Sequence, residues 1–251
     1  MALTGTNRGS GGNNTSSTSL VISPTSNFTP NSFGILCICF DNAGAQGSDP
    51  SDGALTWTDS AGNLWSFATF SLNDPNTVNN GSALTVITAP ISTFTTGNTI
   101  TYGFATATVA KAWTLTEVVS STGGVRLPIT GTQFASNTDS TATPTITSID
   151  TIPTGEFILG VVGRENNGTR TGDADTTNGS WSTAQSTGFG TTTSGQEIIS
   201  QFKVVTGAGT QTYNPTFGGA AADGNIAYLR AQEYALSSTF DPMGMMGFFG
   251  M

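Results

Sequence analysis

The sequence has no histidine and little positive charge. Its 251 residues include seven lysines and arginines against sixteen aspartates and glutamates. The absence of histidine excludes Ser-His-Asp and Cys-His catalysis, histidine-ligated zinc and a histidine-based pH switch. A net charge of −9 leaves no basic footprint for nucleic acid and disfavours an anionic membrane surface. We therefore expect neither nucleic acid nor a membrane as a partner.

Cysteine is almost absent. Cys37 and Cys39 are the only two, too few for a disulfide framework. As residues i and i+2 of one predicted strand they point to the same face, with Cα atoms near the upper limit for bridging. We predict buried free thiols that pack as small apolar side chains.

Targeting and membrane-spanning segments are also missing. The first residues show no basic region followed by an apolar one, and no run approaches the ~18–20 apolar residues of a spanning helix. Low charge with many hydroxyls and amides suits a protein outside cells. We expect a virion or extracellular location, reached through lysis of a host or as a processed mature chain.

Threonine, serine and glycine are abundant instead, with 45, 26 and 32 residues. Threonine favours strands, while glycine and serine supply turns. Many short apolar segments with turn residues between them predict an all-β fold, a β-sandwich or jelly roll of about 11–12 strands.

Two apolar runs predict the central strands. Residues Ile35 to Phe40 are all apolar, and Phe157–Val162 forms a second such run. A strand with one wet face alternates, whereas a strand buried on both faces is continuously apolar. The segment Ile226–Leu236 fits either a helix or a closing strand, and its alternation favours the strand.

Other segments predict individual strands. Leu55–Phe70 is typical of a hairpin whose turn spans Asp59–Asn63. Asn98–Phe104 and Ala110–Val119 predict two separate strands. Gln196–Val205 predicts a strand with Lys203 on its outer face.

The composition divides the chain into three parts. Residues 1–17 contain little to bury and predict a flexible N-terminal arm, and residues 18–236 form a single predicted sandwich domain. Residues 237–251 are an apolar tail. We expect partner contacts from the tail side chains Phe240, Met243, Met245, Met246, Phe248, Phe249 and Met251.

An apolar segment of this kind left in water is an association hazard, and methionine and phenylalanine adapt to grooves. Docking on a neighbouring subunit is the favoured interpretation of the tail. Folding back over its own sandwich and plain disorder are the alternatives. The arm and the tail together predict a homo-oligomer or binding to other virion proteins.

One loop carries oxygen ligands for a hard cation. Asp173, Asp175 and Asn178 could form a structural Ca²⁺ site, although the closing glutamate of an EF-hand loop is missing. A solvated turn is the favoured alternative, and no other cofactor is expected.

The remaining chemical groups suggest no active site. Glu117, Glu156, Glu165, Glu197 and Glu233 are scattered, so we interpret them as surface or edge charge rather than glycosidase pairs. Lys111 is expected to stack on Trp113 or to snorkel, with a covalent crosslink to an Asn or Asp as the remote alternative. Of the four tryptophans, only Trp181 is expected to be exposed.

Several short motifs resemble β-sandwich structural proteins of tailed-phage virions, in the decoration, minor capsid or tail class. They are Asn31-Ser-Phe-Gly-Ile-Leu-Cys-Ile38, Thr58-Asp-Ser-Ala-Gly-Asn-Leu-Trp65, Thr96-Gly-Asn-Thr-Ile-Thr101, Lys111-Ala-Trp-Thr-Leu-Thr-Glu-Val118 and Pro153-Thr-Gly-Glu-Phe-Ile-Leu-Gly160. The resemblance implies a virion role and no catalytic residues.

We therefore expect a non-enzymatic structural subunit of an extracellular assembly, most simply a bacteriophage particle. A carbohydrate-binding or adhesive module, for which a glycan would be the partner, is the first alternative. A cellular surface-layer or filament subunit is the second, and a jelly-roll enzyme is the least favoured.

Overall fold

The computed structural model describes residues 3–41, 55–73, 81–191, 195–221 and 223–235. Within these ranges the protein is all-β, which confirms the predicted fold class. Eleven of the strands found there have four residues or more. The strands are β1 Leu3–Ile22, β2 Ser32–Asp41, β3 Thr56–Asp59, β4 Ser66–Asn73, β5 Ser82–Ile91, β6 Ile100–Ser120, β7 Gly124–Arg126, β8 Phe134–Thr138, β9 Ile146–Thr147, β10 Phe157–Glu165, β11 Arg170–Thr171, β12 Gln185–Phe189, β13 Gln196–Val204, β14 Thr212–Tyr213, β15 Thr216–Phe217 and β16 Gly224–Tyr234.

Two antiparallel sheets face each other. The first has the strand order β1-β6-β2-β5-β4, with β3 also paired to β6. The second has the order β12-β13-β10-β16-β7, with β8 also paired to β16. Two small ladders, β11-β15 and β14-β9, lie outside these sheets.

The central strands are buried on both faces, as predicted for β2 and β10. In β2, Ile35 and Cys37 enter the core between the sheets, whereas Leu36 and Ile38 pack under the outer cover of the first sheet. Strand β10 divides in the same way between the central core and a third cluster over the second sheet. Every residue of both strands is buried. Each sheet therefore has a hydrophobic layer on both sides, which is why these strands do not alternate.

The N-terminal segment corrects the sequence prediction of a flexible arm over residues 1–17. Residues 3–22 form β1, an edge strand paired with β6 from Leu3↔Ser120 to Ile22↔Ile100. Its small residues leave room for large side chains from elsewhere. The space that a Cβ on Gly5 would take holds the ring of Phe202, and Trp113 covers Gly11 in the same way. Where this segment is covered, the covering side chains come from other strands, and most of its residues are half-buried or exposed.

The segment 55–70 is not a hairpin, contrary to prediction. Strand β3 pairs with β6, whereas β4 pairs with β5, so the turn between them joins two different positions in the sheet. Strand β6 is also one long strand where two were predicted. It runs past the end of β2 and pairs there with β3 instead.

Side chains close the two seams where the sheet edges meet. On one side, the Gln185 side-chain amide of β12 donates to the Gly9 carbonyl of β1. On the other side, the Ser136 hydroxyl of β8 donates to the Phe70 carbonyl of β4, 3.2 Å away. The last long strand, β16, confirms the strand interpretation of residues 226–234 and lies beside β10.

Candidate functional site

An open groove lies at the end of the sandwich where β2 begins and β5, β7 and β16 meet. We call it the end groove. It has a volume of about 500 Å³. Its lining combines apolar side chains with glycine backbone, from Asn31, Ser32, Gly62, Asn63, Leu64, Pro90, Ile91, Ser92, Gly123, Gly124, Val125 and Tyr234. It is the larger of the two hollows described here.

The turn after β3 forms one wall of the end groove and is held by a single carboxylate. Asp59 accepts from the Ala61 backbone N–H at 2.6 Å, from Asn63 Nδ2 at 2.8 Å and from Trp65 Nε1 at 2.8 Å. Gly62 has a φ of 82°, which glycine adopts without the steric penalty of a side chain. The predicted turn chemistry of residues 59–63 is therefore confirmed, although its strands do not pair with each other.

The same turn is tied to the end of β5. Asn63 Nδ2 donates to the Thr93 carbonyl at 2.9 Å, and its Oδ1 accepts from the Ser92 N–H at 3.0 Å. Between these anchored residues, Leu64 is 81% exposed. A rigid turn thus presents a leucine to solvent at the rim of the groove, at low cost in conformational entropy on binding.

The opposite wall is formed by Tyr234, at the end of strand β16. Tyr234 pairs with Gly124 in the β16–β7 ladder, and the Arg126 guanidinium lies 5.1 Å from the centre of its ring. A Cβ on Gly124 would overlap the Tyr234 ring, so glycine is what lets the ring lie flat there. Strand β16 ends at this wall, and residues 236–251 follow it.

One polar group in the groove lining has no partner. Ser32 is 3% exposed, and its hydroxyl makes no hydrogen bond within the described part of the chain. A buried hydroxyl without a partner is costly. This hydroxyl lies beneath the surface of the groove rather than on it.

The opposite end of the sandwich is acidic and dry. Asp41, Glu165 and Asp223 are all buried where β2 and β10 end and β16 begins. Glu165 accepts from the Gly81 N–H at 3.1 Å and shares a hydrogen bond with Asp223. Burial, with the neighbouring Asp223, raises the pKa of Glu165 to about 8, and burial raises the pKa of Asp41 to about 7. Near neutral pH these carboxyl groups are therefore partly protonated.

The two cysteines are buried, Cys39 beside this acidic end and Cys37 in the core between the sheets. Both are free and buried, as predicted. The Cys39 Sγ lies 2.9 Å from the Gln196 amide oxygen, and burial raises the pKa of both thiols to about 12. The thiolate form is therefore suppressed.

Lys111 neither stacks on Trp113 nor snorkels to solvent, contrary to prediction. It is fully buried, and its ammonium donates to the carbonyls of Thr15 at 2.7 Å and Thr108 at 2.6 Å. The register of the β1–β6 ladder shifts between Asn14 and Ser19. The ammonium thus satisfies backbone carbonyls where the ladder is interrupted. Burial lowers the pKa of Lys111 to about 8.

Four of the five glutamates predicted to be surface or edge charge are buried. Three of these pair with arginine: Glu117 with Arg8, Glu156 with Arg230, and Glu197 with both Arg164 and Arg170. Arg164 and Glu197 have fully buried side chains 2.6 Å apart, and the guanidinium lies 3.8 Å from the centre of the Phe217 ring. These acids form structural ion pairs between neighbouring strands, Arg8–Glu117 across β1 and β6 and Arg164–Glu197 across β10 and β13. The sequence held one signal for this pairing. Several acidic residues lie within or beside apolar segments predicted as strands, and the chain has only five arginines that could pair with them.

Two other predictions for exposed side chains are wrong. Trp181 is 8% exposed, packed 4.9 Å from the Tyr213 ring and covered by the Lys203 ammonium at 4.7 Å. Lys203 is accordingly buried rather than outward-facing, and it donates to the Thr177 carbonyl.

The predicted calcium loop forms turns. Asp173 accepts from the N–H groups of Asp175 and Asn214, and Asp175 accepts from both the N–H and the hydroxyl of Thr177. Asn178 has a φ of 56° and its carbonyl accepts from Thr206. Across the described residues no three acidic or cysteine side chains converge to hold a metal ion. The calcium site stays a prediction that no contact supports.

The predicted partner-binding residues Phe240, Met243, Met245, Met246, Phe248, Phe249 and Met251 lie outside the described residues. Nowhere in the described ranges does the chain form a helix with the length and apolarity to cross a bilayer. Comparisons of the chain with protein-family models, curated proteins and solved structures returned no match.

Proposed function

We propose that the protein is a non-enzymatic structural subunit of an extracellular assembly, with a bacteriophage particle favoured by its motifs. The observation that carries the proposal is Leu64, which is 81% exposed on a turn fixed by hydrogen bonds at both sides. Surface leucines are ordinary when the surface is free to move. Leu64 stands at the rim of an open groove with apolar lining, and apolar surface rimmed by polar residues is a feature of interaction sites.

The rest of the molecule suits a rigid body in such an assembly. Each sheet has hydrophobic layers on both sides, and buried ion pairs join neighbouring strands. These contacts stabilise the described part of the chain. Strand β16 ends at Tyr234 on the wall of the same groove, shortly before the apolar tail of residues 237–251. One end of the sandwich therefore brings together the features suited to subunit contact.

Deleting residues 238–251 tests the proposal. We expect the full chain to have a molar mass above that of one subunit by light scattering, and the shortened chain to be a folded monomer with unchanged near-ultraviolet circular dichroism. A full chain that remains monomeric at every concentration contradicts the assembly proposal. A shortened chain that assembles normally shows that the tail is not the link.

A carbohydrate-binding role is the second candidate, because a shallow hollow of about 290 Å³ is lined by Trp57 and Trp65. However, both indole N–H groups donate within the protein, to the Trp65 carbonyl and to Asp59. Binding on a glycan array that is lost in Trp57→Ala would favour this candidate. No binding across many sugars would count against it.

A further inference from the structure

We propose that the end groove is the receptor for residues 240–251 of a second copy of the chain. This inference rests on the proposed function and names the contact through which the subunits join. It concerns a surface of the described residues, whereas the tail deletion concerns only the segment that would occupy it.

The groove matches part of such a segment in chemistry. Its volume of about 500 Å³ is that of a small-molecule pocket and gives room for a few side chains of the tail. Leu64, Ile91 and Val125 supply apolar contacts that suit methionine and phenylalanine side chains, which adapt to irregular apolar surfaces. Gly123 and Gly124 make room for Tyr234, which forms the opposite wall of the groove.

The lining also provides for the backbone of a bound segment. An extended peptide brings N–H and C=O groups that must find partners once they leave water. Asn31 and Ser92 are exposed in the groove lining, and their side chains can meet such groups.

The position of Tyr234 favours the second copy as the source. This strand ends at Tyr234 on the groove wall, at the same end as the close of β5 and the start of β2. An occupant from the same copy would have to turn back onto the wall on which Tyr234 lies, whereas the tail of a second copy can enter from the open side of the groove. Twelve extended residues reach roughly 40 Å, enough to cross to a neighbour.

Each copy carries one groove and one apolar segment at the same end. Two copies meeting at these ends can exchange segments reciprocally and form a closed pair, while head-to-tail exchange forms a ring or a filament. Either arrangement covers the exposed Leu64 of each subunit. It also removes the apolar tail from water.

Three full-length variants separate donor from acceptor. The donor variant changes Met245, Met246, Phe248 and Phe249 to Ser, and leaves the groove intact. The acceptor variant is Leu64→Asp, at a site exposed enough to leave folding unaffected. The control is Ile149→Asp, because Ile149 is 69% exposed and does not line the groove. Circular dichroism confirms that each is folded.

In the first measurement, fluorescence anisotropy reports the binding of a synthetic peptide of residues 238–251 to the donor variant. We expect saturable binding. Adding Leu64→Asp should weaken it by about tenfold or more, equivalent to about 1.4 kcal/mol, while Ile149→Asp should leave it unchanged. Absence of peptide binding, or equal loss in both variants, overturns the assignment of the groove.

The second measurement mixes the donor and acceptor variants and follows molar mass. Each alone should be monomeric, and the mixture should form a one-to-one complex, because one supplies the groove and the other the segment. If the peptide binds but the mixture stays apart, the occupant is the protein's own tail and the proposal is overturned. If the unmodified chain assembles while Leu64→Asp assembles equally well, the groove assignment fails but the proposed function stands.

Discussion

The two ends of the sandwich differ in which groups they expose and which they bury. At the groove end, apolar surface is exposed, and the polar groups of the Asp59 turn are fully occupied with one another. At the acidic end, polar side chains such as Glu165 and Gln196 are buried between the sheets. A sandwich that only had to fold would reverse both features. The difference supports the proposal that the first end is a contact surface, and it makes the second end dependent on the partners of its buried polar groups.

The largest effect on stability is expected when the ion pair at the acidic end is broken. Glu197→Gln removes the charge that faces Arg164, whose side chain is fully buried. Breaking a buried ion pair by removing one partner costs about 3–5 kcal/mol, because the remaining charge stays buried without compensation. Urea denaturation should show a loss of that size in the free energy of unfolding. A loss below about 1 kcal/mol would mean that Arg164 gains solvent or another partner.

The second effect is a dependence of stability on pH. The folded pKa values of Asp41 and Glu165, about 7 and about 8, lie above the ordinary carboxyl range. As the pH rises from about 4 to 8, the unfolded chain therefore loses protons that the folded chain keeps, and stability falls. The loss should be on the order of 2–4 kcal/mol in the free energy of unfolding between pH 5 and pH 8.

Denaturant titrations at several pH values measure this slope, and Glu165→Gln should flatten it by removing one of the two groups. Lys111 acts in the other direction, but only above its folded pKa of about 8. A stability that rises between pH 5 and pH 8 would contradict the placement of these carboxyls in a dry site.

The smallest effect on stability is expected at the groove end. Leu64→Asp should change the free energy of unfolding by no more than about 0.5 kcal/mol, because the side chain is 81% exposed. The same change should lower the molar mass of the assembled protein. Thermal unfolding at low protein concentration measures the first quantity without interference from the second. Strong destabilisation by Leu64→Asp would show that the leucine supports its own turn.

Much of the fold follows from patterns of apolar side chains. The doubly buried β2 and β10, and the strand rather than helix at β16, were predicted because each segment carries its own apolar signal. Strand β1 was missed because its burial comes from other residues. Gly5 and Gly11 reveal nothing until Phe202 and Trp113 are placed on them.

The site was harder to predict, because pairing between distant residues decides it. The turn at Asp59 was recognisable from its local residues, yet its role as a groove wall depends on β5, β7 and β16. Similarly, Glu117 and Glu197 resemble surface charge in sequence, and only the fold places Arg8 and Arg164 beside them. The predictions for the tail remain untested by the described residues.

The pairing of β1 with β6 has a consequence for the order of folding. Leu3 lies opposite Ser120 and Ile22 opposite Ile100, so β1 has no ladder partner until the much later strand β6 has been made. Such non-local pairing slows folding and prolongs the time during which β6 lacks its edge partner. Because β1 is rich in glycine, asparagine and serine, it has little tendency to aggregate while it waits. The same composition that gave β1 no apolar pattern in the sequence is thus suited to a segment that pairs late in folding.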